Sequence, residues 1–220
     1  MDAEYRIAAN GEVKWTFLQR VVYAIAYAIA FVSFRILMPT TVHGDRAQLR
    51  QGPCLYYSNH ISLLDPFLTH FLIMPKRVFI PAKTELFKNK VLQYMIHALG
   101  AVSIDRGNSD LGAMKAILDL LKKGQIVSIY PEGTRTRNAD LSLGEFQPGI
   151  AMIAHRSGVP IIPVYFDHGN RYRIGKRVNV YIGEALDLSD YQGRKIRRED
   201  LESITKLMQS RLNDLRKSQE

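Results

Sequence analysis

Between Gly52 and Gly183 short apolar runs that read as strands alternate with stretches of helical period, and that alternation leaves few folds open. GPCLYYSN, RVFIPAK, GAVSIDR, QIVSIYPEG, VPIIPVYF and RVNVYIG are the strand-like runs. Between them lie DPFLTHFLIM, TELFKNKVLQYMIHAL, SDLGAMKAILDLLKKG and PGIAMIAHRSG. In the third of these helical segments Leu111, Met114, Ile117, Leu118 and Leu121 recur at helical spacing, and Lys122, Lys123 and Gly124 supply a stop. Strands separated by helices join most readily by parallel crossovers, so the pattern predicts an α/β fold with a mixed, largely parallel sheet flanked by helices. A chain of 220 residues is enough for one such domain with a full core. The tail REDLESITKLMQSRLNDLRK sets Leu201, Ile204, Met208, Leu212 and Leu215 on one face and is expected to pack on that domain.

The N-terminal part follows a different rule. Val21 to Phe34 carries no charge and is bracketed by Arg20 and Arg35. As a helix its 14 residues reach about 21 Å, short of a hydrocarbon core of about 30 Å. Counted from Phe17 to Met38, with both arginines snorkelling, it nearly spans. Ala24 with Ala28, and Ala26 with Ala30, leave room for another helix to approach. No small-residue cleavage site follows, so the run does not resemble a cleaved signal. A buried core helix is the alternative, but core helices rarely read apolar on all sides. The run is therefore expected to be a membrane-embedded or membrane-lying anchor occupying residues 1–40, with the α/β domain at 41–220.

Charge narrows the partners. Thirty Lys and Arg against 21 Asp and Glu leave +9, which favours an anionic surface or a phosphorylated substrate. Nucleic acid fits the charge alone, because the basic residues are scattered and no recognition motif accompanies them. The one cysteine, Cys54, sits in an apolar run and reads as a core residue that can form no internal disulfide.

Two clusters carry chemistry. In NHISLLD, Asn59 and His60 close an apolar run and Asp65 stands five residues on, before Pro66. Five residues of regular helix would turn the two side chains about 140° apart. A turn ending at an Asp65 N-cap would instead fold the carboxylate back onto the imidazole, fixing its tautomer and freeing the other nitrogen as a base. Plain local capping is the alternative for the same residues. His60, Asp65 and His70 repeat at intervals of five, but His70 falls inside an apolar helix, and no metal site is expected. His155 and His168 show no partner spacing and read as surface or loop residues.

The second cluster is IYPEGTRTR. Here Glu132, Gly133, Thr134 and Arg135 form a polar turn after a strand, with a glycine for close approach, a hydroxyl and a guanidinium fork suited to phosphate oxygens. Lys83 and Arg106 also end strand-like runs, and groups at the carboxyl ends of strands in an open α/β sheet converge on one crevice.

Taken together, NHISLLD, AVSIDRG, YPEGTR and VPIIPVYF resemble, in order and in spacing, the four blocks of the glycerolipid acyltransferases. The likeness is strongest to the 1-acyl-glycerol-3-phosphate (lysophosphatidic acid) acyltransferases and covers about Leu55 to Phe166, with Tyr130 standing where phenylalanine is usual. The resemblance implies direct acyl transfer without an acyl-enzyme or a cofactor, from acyl-CoA or acyl-carrier protein as co-substrate. His60 would be the base and Asp65 its support, with Asn59 and Ser62 supporting. Glu132, Gly133, Thr134, Arg135, Arg106 and Lys83 would hold the acceptor phosphate. It also implies phosphatidic acid as product, and a cytoplasmic-face membrane location, the inner membrane in a bacterium. Another acceptor, such as glycerol-3-phosphate or a lyso-aminolipid, would use the same blocks, and a non-catalytic lipid-binding protein could keep them. A serine hydrolase is disfavoured by the lack of a G-x-S-x-G elbow.

Overall fold

The computed structural model describes residues 14–104, 110–136, 142–169 and 171–218. Seven strands are present among them: β1 (Thr40–His43), β2 (Leu55–Ser58), β3 (Ile80–Lys83), β4 (Ala101–Ile104), β5 (Val127–Ile129), β6 (Ile161–Asp167) and β7 (Val178–Ile182). The helices are α1 (Phe17–Val32), α2 (Asp65–Ile73), α3 (Lys90–Ala98), α4 (Asp110–Lys122), α5 (Gly149–Ser157) and α6 (Arg198–Lys217).

The main sheet has the order β1-β7-β6-β2-β5, and β3 with β4 extends it beyond β5 through a parallel bridge between Phe79 and Val127. Strands β4, β3, β5, β2 and β6 run one way, while β7 and β1 run the other. The sheet is therefore mixed and largely parallel, as the alternation of patterns predicts. It also brings the carboxyl ends of β2, β3, β4, β5 and β6 to one edge.

Alternate residues of each strand face opposite layers. Tyr56, Ile162 and Val164 pack beneath α1 and α2, while Leu55, Tyr57 and Ile161 pack against α4, α5 and α6. Helix α6 buries Ile204, Met208 and Leu212, spaced four apart, and burying each stabilises by about 1.5–3 kcal/mol. Cys54 lies in the first layer, where burial pushes its thiol up to about 12, so it is a packing residue.

Helix α1 opens on a capping box between Thr16 and Gln19, and a π-helical turn, Ser33–Leu37, prolongs it. Phe17–Leu37 is long and apolar enough to cross a membrane by length and composition. One face of it is docked. Ala30 and Phe34 are buried, Phe34 packs on Phe71 of α2 with ring centroids 5.8 Å apart, and the Tyr23 hydroxyl donates to the Lys76 carbonyl. The other face exposes Phe17, Leu18, Val21, Ile25, Ile29 and Ile36, a continuous apolar stripe. The all-round apolar reading of this run thus divides into a docked side and an open side, and the helix does not stand apart from the domain that begins at β1.

Candidate active site

Strand β2 ends on a side chain that imitates a backbone. The buried Asn59 amide donates to the Phe166 carbonyl at 3.0 Å and accepts from the Phe166 N–H at 2.8 Å, extending the β2–β6 ladder by one step. The chain then turns. The carboxylate of Asp65 reaches back, and its Oδ2 accepts from the N–H groups of Ile61 and Ser62, both at 2.8 Å, and from His60 Nδ1 at 2.9 Å. A carboxylate accepts only, so the shared hydrogen belongs to Nδ1, and Nε2 keeps its lone pair. The Ser62 hydroxyl accepts from the Leu64 N–H, tightening the same turn. Asp65 is the first residue of α2 and Leu64 its N-cap, so the carboxylate serves the turn and not its own helix, correcting the expected N-cap role by one residue.

Asp65 is fully buried and His60 is 17% exposed in its side chain. Burial alone would raise the Asp65 pKa. The side chains of His168 and His60 and the Ser62 N–H outweigh it and hold the carboxyl well below the usual carboxylate range. The His60 ring also stacks on Tyr130, centroids 4.1 Å apart at 17°, and the Tyr130 hydroxyl is tied to Thr69 of α2 at 3.1 Å. Imidazole, carboxylate and stacking ring therefore hold one another in place.

The turn after β5 is fastened to His60 itself. Glu132 is buried; its Oε1 accepts from the His60 N–H at 3.0 Å, and its Oε2 accepts from the Gly144 N–H at 2.7 Å and from the Thr136 hydroxyl. The Thr136 N–H donates to the His60 carbonyl at 2.8 Å. Grouping Glu132 with the phosphate ligands therefore needs correction: both oxygens are spent on the frame around His60, and a carboxylate turned to a phosphate would repel it. Burial raises its pKa, against the bonds from Gly144 and His60. Gly133 turns the chain at a φ of +72°, which favours glycine, and Thr134 and Arg135 stand exposed on the span gripped at both ends. Lys83 is exposed at the end of β3, two strand spacings, about 10 Å, from β2, because β5 lies between. Arg106 lies outside the described residues.

Besides Tyr130 and Thr136, sequence reasoning missed three contributors. His168, expected on the surface or in a loop, does follow β6 in a loop but is buried, with Nε2 3.3 Å from Asp65 Oδ1, at ion-pair distance but off the line of a good hydrogen bond. The Tyr172 hydroxyl donates to the same oxygen at 2.9 Å, and its ring stacks on His168 at 4.0 Å. Gly144 is the third, since a Cβ there would stand 2.7 Å from Glu132 Oε2. The trace of the first two in the sequence is a histidine and a tyrosine just beyond VPIIPVYF.

Among the described residues no group of three His, Cys, Asp or Glu is arranged to hold a metal ion. What the arrangement can do is accept a proton at His60 Nε2 from a hydroxyl held beside an exposed hydroxyl and guanidinium.

Known proteins share this arrangement of segments. Residues 39–167 match the family described as Acyltransferase. The chain is 35% identical over 143 residues to the chloroplastic 1-acyl-sn-glycerol-3-phosphate acyltransferase BAT2 of Brassica napus, covering 64% of this chain and 40% of that protein. It is 29% identical over 160 residues to the 1-acyl-sn-glycerol-3-phosphate acyltransferase of Streptococcus pneumoniae, covering 71% and 58%. To the protein of the same name from Bacillus subtilis it is 31% identical over 147 residues, covering 65% and 71%. The chain thus spans about half the length of the first two relatives. The crystal structure of the 1-acyl-sn-glycerophosphate (LPA) acyltransferase PlsC from Thermotoga maritima superposes with a TM-score of 0.62 at 22% identity, over 90% of this chain and 81% of that one, which establishes a common fold. Since the matched segment takes in more than half of the sequence and carries both His60 with Asp65 and the turn fastened to them, the chain belongs to the acyltransferase family.

Proposed function

We propose that the chain transfers a fatty acyl group from an acyl thioester to the free sn-2 hydroxyl of 1-acyl-glycerol-3-phosphate, giving phosphatidic acid. The observation that carries this reading is the 2.9 Å contact of His60 Nδ1 with a buried, ionised Asp65, which leaves Nε2 as the base. His60 Nε2 takes the hydroxyl proton as the oxygen attacks the thioester carbonyl, forming the new C–O bond. The tetrahedral adduct then breaks its C–S bond, and the departing thiolate takes the proton back from the imidazolium. Asp65 stabilises the imidazolium in between. No cofactor beyond the thioester, acyl-CoA or acyl-carrier protein, enters the step. Arg135, Thr134 and the Gly133 backbone bind the acceptor phosphate, with Lys83 as an outer cation and Arg106 as a further cation for it. The open stripe of α1 lies in the cytoplasmic face of a membrane, which sets the site where acceptor and product reside. The names of the relatives from three organisms support the acceptor.

The test is thiol release from acyl-CoA in the presence of lysophosphatidic acid. His60→Ala abolishes it in a protein that melts like the wild type; unchanged turnover ends the mechanism. Arg135→Ala leaves kcat within about twofold and raises the acceptor KM tenfold or more, the loss of one charge-assisted contact of about 1.5–3 kcal/mol.

A further inference from the structure

The connection from β6 to β7 contains Arg171, Tyr172, Arg173, Ile174, Gly175, Lys176 and Arg177, four cations without an acid. Its middle is a tight turn. The Lys176 N–H donates to the Arg173 carbonyl at 3.0 Å, and Gly175 takes a φ of +80° at the third position, as a type II turn requires. That geometry puts Ile174 at the tip, 76% exposed, between exposed Arg173 and Lys176. An isoleucine so placed contributes nothing to the core.

The turn's position is fixed by two contacts to the end of the apolar helix and one to β1. The Gly175 N–H donates to the Leu37 carbonyl at 2.8 Å, Arg177 Nη1 donates to the Thr41 hydroxyl at 2.7 Å, and Tyr172 meets the Phe34 ring edge-on at 5.7 Å. Ile174, next in chain to Gly175, therefore stands at the end of the helix whose open side exposes Ile36 and Leu37, with cations at its flanks. Aliphatic tips flanked by Arg and Lys suit the boundary between acyl chains and anionic headgroups. We propose that the turn Arg173–Lys176 is a second membrane contact, in which Ile174 enters the interface beside the end of α1 and Arg173 and Lys176 bind anionic lipid headgroups. This rests on the membrane placement of α1 proposed above and not on acyl transfer.

The test is flotation of the full chain with vesicles, without substrates. One set is equimolar phosphatidylglycerol and phosphatidylcholine; the other is phosphatidylcholine alone. Each cation at an anionic surface is worth about fivefold in affinity, so Arg173→Gln with Lys176→Gln loses about 25-fold on the anionic set. The same pair binds phosphatidylcholine as the wild type does. Ile174→Ser weakens binding to both sets. Wild-type binding to the anionic set falls with added salt more steeply than binding of the charge variant, a comparison that holds even if a substitution lowers the melting temperature. Unchanged affinity of the double variant overturns the proposal. So does an equal loss from Lys122→Gln with Lys123→Gln at the end of α4, which would make affinity a matter of net charge. Unchanged binding with a raised KM for the acyl thioester also overturns it and gives the turn to the donor. An inactive wild type that still binds through this turn would sink acyl transfer alone.

Discussion

Replacing Asp65 by Asn separates what the carboxylate orients from what its charge does. Three donors meet at Oδ2, namely the N–H groups of Ile61 and Ser62 and His60 Nδ1. An amide nitrogen in that position would face all three, so the asparagine oxygen must occupy it and the amide nitrogen must face Tyr172 and His168. The Tyr172 hydroxyl can rotate to accept, so the fold survives and His60 keeps its hydrogen on Nδ1. What disappears is a negative charge beside the imidazolium, worth about 4 kcal/mol at 4 Å and an effective dielectric of 20. With most of that charge developed in the transition state, the barrier rises by about 3–4 kcal/mol and kcat falls roughly 10²–10³-fold. A dyad free to present its amide nitrogen loses the tautomer as well, at a cost near 10⁴-fold. The assay is thiol release from acyl-CoA under saturating lysophosphatidic acid, alongside a melting curve. A loss below about tenfold would mean the charge does not support the reaction, and one of 10⁴-fold or more would mean the two backbone donors fail to hold the oxygen.

Three further expectations come from the same frame. Tyr172→Phe removes one bond to the Asp65 carboxylate without changing shape; kcat falls about tenfold while the acceptor KM stays, and a change confined to KM would count against a positioning role. Gly144→Ala drives a Cβ against Glu132 and Thr136, costing about 1–3 kcal/mol in chemical denaturation and lowering kcat by loosening the His60 N–H; wild-type stability would contradict the close approach. Because the folded protein holds the Asp65 pKa below its unfolded value, the carboxylate's contribution is present above about pH 4 and is lost as pH falls toward the folded value. The gap in melting temperature between wild type and Asp65→Asn therefore narrows on acidification below that pH, and a gap that widens would reverse the sign.

The residues differ in how far they could be understood before folding. His60 and Asp65 are close in sequence, and helix geometry excludes their meeting except through a turn, so the pair was legible as one of two alternatives. The strand and helix pattern was legible for the same reason, being a matter of local period. Glu132 was not, because a carboxylate among cations reads as part of their cluster until burial shows that it needs N–H donors, and those come from His60 and Gly144. His168 and Tyr172 reach Asp65 from more than a hundred residues away, across the parallel pairing of β2 with β6, and no local spacing encodes such a meeting. Helix α1 was legible as apolar, while its division into docked and open sides depends on where α2 lies.

The grip of Glu132 and Thr136 on the two peptide groups of His60 makes a calliper of the site. Base and guanidinium-bearing turn are tied together, so on the phosphate role proposed for that turn the separation between the acceptor's hydroxyl and its charged oxygens is gauged by a gap of set width. Acceptors whose alcohol sits one carbon farther along would jam or fall short in the same way whatever fatty chain they carry. Tolerance toward different lipids must then be written into parts of the molecule beyond the jaws.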